Sequence, residues 1–330
     1  MSSGYIYHST KDLDVTNNGN TAFSVTSING TLHKLGLSKD NFVKFFIRTN
    51  LNNSNIPNSE REFINVEYNM DCSIIDENGV QESDTFAIIT LTSNDKHLQE
   101  YFIEIFTMML KKLPERPNNR DLALEIEDLA SIFSALSNPP KKKIQGLWAE
   151  LLVIERSKKP EILISAWHTA PKSKYDFTLG GDKIEVKSTS TETRSHNFSL
   201  DQLNPSGNSR LLIASTIVRE SGKGTNGLSV KDLYNKICTR TQSTELNLQV
   251  MKVIIETLGS DLKDIDSMYF DYVAASDMLS FYDYKSIPKI NKKDIPALVS
   301  KVKFTSNLDS IEPINLSEEE WGKSNLFNYI

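Results

Sequence analysis

Two carboxylates and a lysine lie close together in the stretch Tyr175-Asp176-Phe177-Thr178-Leu179-Gly180-Gly181-Asp182-Lys183-Ile184-Glu185-Val186-Lys187-Ser188-Thr189. Its apolar residues flank a Gly180-Gly181-Asp182 turn, and glycine supplies the positive φ that tight turns demand, so the spacing predicts a β-hairpin. Side chains alternate along a strand: Ile184 and Val186 share one face, Glu185 and Lys187 the other, with Asp176 on the paired strand. Neighbouring carboxylates repel, and a shared proton or a divalent cation relieves that repulsion. Mg²⁺ suits such a set, because it takes hard oxygen ligands, keeps several waters and sits readily beside a phosphate. Asp176, Glu185 and the backbone carbonyl of Val186 are the expected ligands, with Mn²⁺ able to substitute. Lys187 would orient or deprotonate a water acidified by the cation, or stabilise developing charge. The same spacing also fits an exposed hairpin with an ordinary cross-strand Asp–Lys pair, worth under about 1 kcal/mol.

An acid-x-Lys triplet has little meaning alone, and the chain holds others at Asp261-Leu262-Lys263 and Asp283-Tyr284-Lys285. Neither has an upstream Asp on a paired strand. A helix over Lys141–Ser157 is predicted to cover the sheet, with Ile144, Leu147, Trp148, Leu151, Leu152 and Ile154 as its apolar stripe. Asn138 would cap it, with Pro139 and Pro140 in its first turn. Glu150, one turn after the small Gly146, falls at the rim of the stripe, where an acid either leans towards a metal site or is simply solvated.

Around this segment, residues from Tyr5 to about Thr92 read as strands, notably Phe42–Arg48 and Thr85–Leu91, separated by polar turns such as Asn17-Asn18-Gly19-Asn20, Asn52-Asn53-Ser54-Asn55 and Asp76-Glu77-Asn78-Gly79. From about Asp95 the apolar period becomes helical, and Pro114 and Pro117 end that helix. A second helix is predicted over Asp121–Leu136. The expected organisation is a strand-rich domain 1–115 for recognition or partner docking, a helical connector 116–138, and a catalytic domain 139–330. Within the last, strands run to about Arg219 and a Gly-rich loop covers Ser221–Gly227. Helices follow near Val230–Thr239 and Thr244–Leu258, with strands near Tyr269–Ala274 and Leu298–Phe304. The glycine loop lacks the Lys-Ser/Thr of a phosphate-binding loop and reads as a surface loop.

The series Gln145-Gly146-Leu147-Trp148-Ala149-Glu150-Leu151-Leu152, then Trp167, Asp176-Phe177 and Glu185-Val186-Lys187-Ser188-Thr189, resembles the core of the PD-(D/E)xK nuclease superfamily. It is similar in particular to a bacterial group of such proteins found among restriction and phage-defence genes, most strongly over about Ile144–Leu203. Tyr175 stands where the motif's name has proline. The resemblance implies an α/β fold with a restriction-endonuclease-like α-β-β-β-α-β core, a strand-rich N-terminal domain and a mixed helix/strand C-terminal extension. It implies a metal-dependent endonuclease hydrolysing phosphodiesters of double-stranded DNA, with Glu150, Asp176, Glu185 and Lys187 catalytic. The group's pattern places Arg194, His196 and Gln202 at the site, Arg194 on a phosphate and His196 contacting a phosphate or shuttling a proton; otherwise they are polar residues finishing a strand. Lys141, Lys142 and Lys143 would track the DNA backbone or form a solvated face. Cutting both strands with one site per chain calls for a homodimer or a multi-protein defence complex. The competing expectation is a DNA-holding scaffold subunit that keeps the fold with little or no activity.

Composition narrows the remaining classes. The net charge of −6 argues against bulk electrostatic coating of nucleic acid. Pro139–His196 nevertheless carries eleven Lys+Arg against seven Asp+Glu, a basic middle in an acidic chain. Cys72 and Cys238 stand apart without a Cys/His cluster, which excludes a zinc site of usual spacing and leaves a disulfide framework unsupported. No apolar run approaches the ~20 residues of a spanning helix, and Met1-Ser2-Ser3-Gly4 lacks a secretory pattern. A cytoplasmic protein without membrane association is expected.

Overall fold

The computed structural model describes residues 22–50, 56–168, 173–224, 226–318, 321 and 323–330. The predicted strand before Ala22 and the turns at Asn17–Asn20 and Asn52–Asn55 lie outside the described residues. The chain mixes helices and strands, as the α/β reading requires, and divides into two compact units, residues 1–138 and 139–330.

The first unit is built from β1 (Ala22–Ser27), β2 (Lys34–Leu37), β3 (Val43–Arg48), β4 (Ser59–Glu60), β5 (Ile64–Ile75) and β6 (Gln81–Leu91). They run in the order β1-β2-β3-β6-β5-β4, and a parallel pairing of β1 with β5 closes five of them into a small barrel. Alternation writes the barrel into the sequence: Ile64, Val66 and Tyr68 are buried while the residues between them are half-exposed. The helices α1 (Lys96–Leu110) and α2 (Asn119–Ser134) belong to the same unit. Asp95 and Asn118 cap their first turns. Phe102 of α1 meets Phe45 of β3 and Phe133 of α2 edge-on, so α2 is part of this unit's packing.

The second unit opens with α3 (Ile144–Arg156) and α4 (Pro160–Ala166). Then come β7 (Phe177–Leu179), β8 (Asp182–Thr189), β9 (Ser195–Ser199) and β10 (Arg210–Ile217), followed by β11 (Glu220–Ser221) and β12 (Gly227–Leu228). The helices α5 (Val230–Thr241) and α6 (Thr244–Leu258) precede β13 (Tyr269–Asp271), α7 (Tyr272–Asp277), β14 (Ser280–Asp283) and β15 (Lys303–Asn307). The central sheet has the order β14-β10-β8-β7. Its spine is the parallel β8–β10 pair, in unbroken register from Asp182↔Arg210 to Thr189↔Ile217. Seven of the eight β10 residues are buried, as a strand covered on both faces must be. Along α3, Leu147–Glu155 are buried, and the Trp148 indole donates to the Leu228 carbonyl.

Five local expectations change. The helix expected from Lys141 starts at Ile144 with no side-chain cap: Asn138 is extended ahead of Pro139, and the Lys141 amide donates to the Thr257 carbonyl instead. The α-β-β-β-α-β order is also altered, because between β9 and β10, where that order has its second helix, the chain makes turns at 200–204 and Pro205 and Gly207 follow directly. Moreover, β9 does not join the central sheet but pairs with β15. The strand expected over Tyr269–Ala274 ends at Asp271, whose carboxylate caps α7, and the one expected from Leu298 begins only at Lys303. In the glycine loop, apart from Thr225, which lies outside the described residues, the backbone folds tightly on itself. A Cβ on Gly227 would stand 2.1 Å from the Gly222 carbonyl oxygen.

Candidate metal centre

The hairpin forms because Phe177, Thr178 and Leu179 pair with Ile184, Lys183 and Asp182 around Gly180, whose φ is +58°. Asp176 lies just before the ladder and closes it with a side chain, its Oδ2 accepting the Val186 amide at 2.8 Å. That bond fixes the carboxylate against β8. The Trp167 ring lies 6.4 Å from the Phe177 ring, nearly parallel, and carries the chain from α4 to His168. His168 has φ +42°, a conformation that β-carbon sterics disfavour. Its amide donates to the Asp176 carbonyl at 2.9 Å.

Glu150, Asp176 and Glu185 are only 2%, 5% and 4% exposed, so their charges must be compensated within the protein. Glu150 Oε2 accepts from the Trp167 indole and contacts His168 Nε2, both at 2.8 Å. Lys142 Nζ sits between two acids, 2.5 Å from Glu150 Oε1 and 2.6 Å from Asp176 Oδ1. Glu185 Oε1 meets Lys187 Nζ at 2.8 Å and the Gln202 amide at 2.5 Å. Burial works to raise the Glu150 carboxyl, but the His168 hydrogen bond and the Lys142 charge outweigh it and hold it below the ordinary range. Burial and the Glu150 charge push Asp176 up against the pull of Lys142. Burial, then the Asp176 charge, pushes Glu185 up to about 8 despite Lys187.

Glu150, His168 and Asp176 bring one ligand atom each within 4.8 Å of one another. This set differs from the expected one, which paired Asp176 with Glu185 and the Val186 carbonyl. His168 escaped the sequence reading altogether; its only signal was its place beside Trp167. The Lys142 ammonium is a stand-in cation: the pocket formed by Glu150 and Asp176 accepts positive charge between oxygen donors, as a divalent metal requires. Carboxylate oxygens suit Mg²⁺ and Mn²⁺, whereas the imidazole is a donor more usual for softer transition metals.

The remaining expected residues divide. Gln202 reaches the site, with its amide on Glu185 and its carbonyl oxygen accepting the Ser199 amide at 3.0 Å. Lys141 and Lys143 are exposed on the approach to α3, whereas Lys142 is turned inward to the acids rather than outward to a nucleic-acid backbone. Arg194 does not present its guanidinium to a phosphate. It donates to the Ser215 carbonyl and hydroxyl at 2.8 and 3.0 Å and to the Met278 carbonyl at 2.5 Å. His196 is 3% exposed, with Nε2 on the Ser215 hydroxyl at 2.8 Å, so the proton-shuttle and phosphate roles lack an approach. Burial, then the neighbouring Lys187 charge, lowers it to about 4. Strand alternation explains the His196 placement: β9 turns His196 and Phe198 into the core, where Phe198 supports the Lys187 ammonium 5.1 Å from its ring centre.

A buried acid cluster hung on a β-hairpin and one helix, with a lysine two residues after an acid, defines a PD-(D/E)xK-type arrangement. The family described as "Putative PD-(D/E)XK family member (DUF4420)" matches residues 13–309, and the chain belongs to this family. No curated protein and no solved structure matches. Membership points to a nuclease fold and divalent-metal use, in keeping with the buried carboxylate and histidine cluster. Among the described residues, no helix is long and apolar enough to cross a membrane.

Proposed function

We propose that the chain is a Mg²⁺-dependent DNA endonuclease, with Mn²⁺ able to substitute, acting in restriction or phage defence. Its core is restriction-endonuclease-like, with the helix between third and fourth strands reduced to turns. The observation that carries the reading is the convergence of Glu150, Asp176 and Glu185, all buried, on Lys142, His168 and Lys187. Asp176, with Glu185 and the Val186 carbonyl or with Glu150 and His168, would hold the metal. When bound, a divalent cation stabilises charge on phosphoryl oxygens and acidifies water. Lys187, held by Glu185 and by the Phe198 ring, orients the attacking water and faces the developing negative charge. Gln202 keeps Glu185 in place, while Trp167 and His168 fix Glu150. The protein acts in the cytoplasm on double-stranded DNA, as a homodimer or within a multi-protein complex, and the first unit recognises DNA or docks a partner.

The test is cleavage of supercoiled plasmid with Mg²⁺ or Mn²⁺ by wild type, Asp176→Ala and Lys187→Ala. Metal-dependent nicking that both substitutions abolish supports the reading; equal activity in all three overturns the site. A second reading, a nuclease-fold scaffold without activity, is favoured by one observation, the ammonium of Lys142 already compensating two of the acids. It predicts that calorimetric titration with Mn²⁺ detects no binding dependent on Asp176.

A further inference from the structure

We propose that the segment between Ile290 and β15 is a DNA-entering wedge: an apolar tip, Leu298-Val299, flanked by lysines that hold phosphates on either side. The inference rests on the endonuclease reading above and adds the element that engages the duplex. Leu298 is 100% exposed and Val299 50%. With Ile290 they make three of the seven exposed large apolar side chains among the described residues. So much unpartnered apolar surface on one short segment marks a contact surface. Lys292, Lys293, Lys301 and Lys303 flank the tip in sequence, all exposed; Lys292 Nζ lies 3.6 Å from Asp201 Oδ1, and Asp294 is the one acid between Ile290 and Phe304. In a chain of net charge −6, this concentration of positive charge fits a polyanion.

Both legs of the segment are tied to one turn. Asn204 joins Lys292 and Ile290 through its side chain, accepting the Lys292 amide at 3.2 Å and donating to the Ile290 carbonyl at 3.0 Å. The Leu200 amide donates to the Val302 carbonyl at 2.9 Å. That same 200–204 turn carries Gln202, whose amide holds Glu185. The tip is therefore tethered to the structure that positions a catalytic carboxylate. Apolar side chains flanked by basic ones enter between base steps and unstack them, while the lysines neutralise the adjoining phosphates. A lipid surface would also accept an apolar tip among lysines, but the tether to Glu185 favours the duplex.

The experiment uses the full chain in EDTA at low salt. Binding to a mixed-sequence 30-base-pair duplex and to the same duplex with a central mismatch is read by fluorescence anisotropy. Wild type is expected to prefer the mismatched duplex by about tenfold, because part of the unstacking cost is already met. Leu298→Ala/Val299→Ala removes that preference. Since Leu298 is fully exposed, circular dichroism should show an unchanged fold. Lys301→Gln/Lys303→Gln weakens binding to both duplexes and reduces the slope of log K against log salt by about 2. If wild type binds DNA and both double variants match it in affinity, preference and slope, the wedge is overturned while the endonuclease reading stands. Failure of wild type to bind either duplex overturns both. Leu298-dependent binding to phosphatidylglycerol vesicles, with DNA binding insensitive to the variants, reassigns the segment to a membrane surface.

Discussion

Lys142→Met is the perturbation that most directly probes the acid cluster. In the folded protein Lys142 compensates Glu150 and Asp176, which are 2% and 5% exposed. Without it, Glu150 retains Trp167 and His168, whereas Asp176 retains the Val186 amide. Removing one partner of a buried ion pair costs about 3–5 kcal/mol. The Lys142 side chain is itself 36% exposed, so solvent already screens part of the interaction. A loss of about 2–3 kcal/mol remains, which for a unit of this size lowers Tm by roughly 4–12 °C. Trp148, Trp167 and Trp321 all lie in the second unit, so thermal unfolding followed by tryptophan fluorescence reports on it alone. The loss should appear in EDTA and shrink or reverse in saturating Mn²⁺, because the metal no longer competes with an ammonium and stabilises by mass action. Lys141→Met, which removes an exposed side chain, should stay within about 0.5 kcal/mol of wild type. An identical Tm for Lys142→Met and wild type in EDTA would refute the reasoning. So would a loss that Mn²⁺ leaves untouched, since metal and ammonium would then not share the pocket.

Gln202→Ala should weaken Mn²⁺ affinity by roughly 10–100-fold in calorimetric titration while the fold survives, because Glu185 loses the amide that orients it. Asp182→Ala should destabilise the second unit by about 2–3 kcal/mol in urea unfolding, since it removes the carboxylate that meets Arg210, whose side chain is 36% exposed and partly screened, and the acceptor of the Ser324 hydroxyl. His196 is lowered to about 4 in the fold by burial and then by Lys187, against ~6.5 when unfolded, so the unfolded chain binds the extra proton first. Its contribution, at most about 3 kcal/mol, is full above pH 6.5 and is lost as pH falls towards 4. His196→Gln should flatten that part of the profile of urea stability against pH.

What sequence made legible was local. Strand alternation across Phe177–Thr189 and the apolar stripe of α3 depend on neighbours within a few residues, and both elements stand where their spacing puts them. Lys142 was missed as a partner of Asp176 because 34 residues separate them and only the fold brings them together. His168 lies in no periodic element, and its φ belongs to a geometry that sequence pattern does not encode. The resemblance puts Arg194 and His196 at the site, but the face that His196 takes on β9 is decided by the distant partner β15, and Arg194, just before that strand, is held by Ser215 and Met278. The basic apolar segment before β15 reads as a strand, since Leu298, Val299 and Val302 carry strand propensity, but among the described residues the pairing with β9 begins only at Lys303.

The pairing of β9 with β15 also sets an order of events. Thr305 reaches Asn197 across 108 residues, and Gln202 stands in the turn that follows β9. In the first unit each strand pairs with strands from the same stretch of chain, so it has what it needs to fold while the second unit is still being synthesised. Glu185 and Lys187 emerge early in the second unit, yet the support beneath them waits for β15. A nascent chain would thus carry its acids for more than a hundred residues before they are fixed for chemistry. On the endonuclease reading proposed above, such a delay separates synthesis of the chain from the moment it could cut nearby DNA.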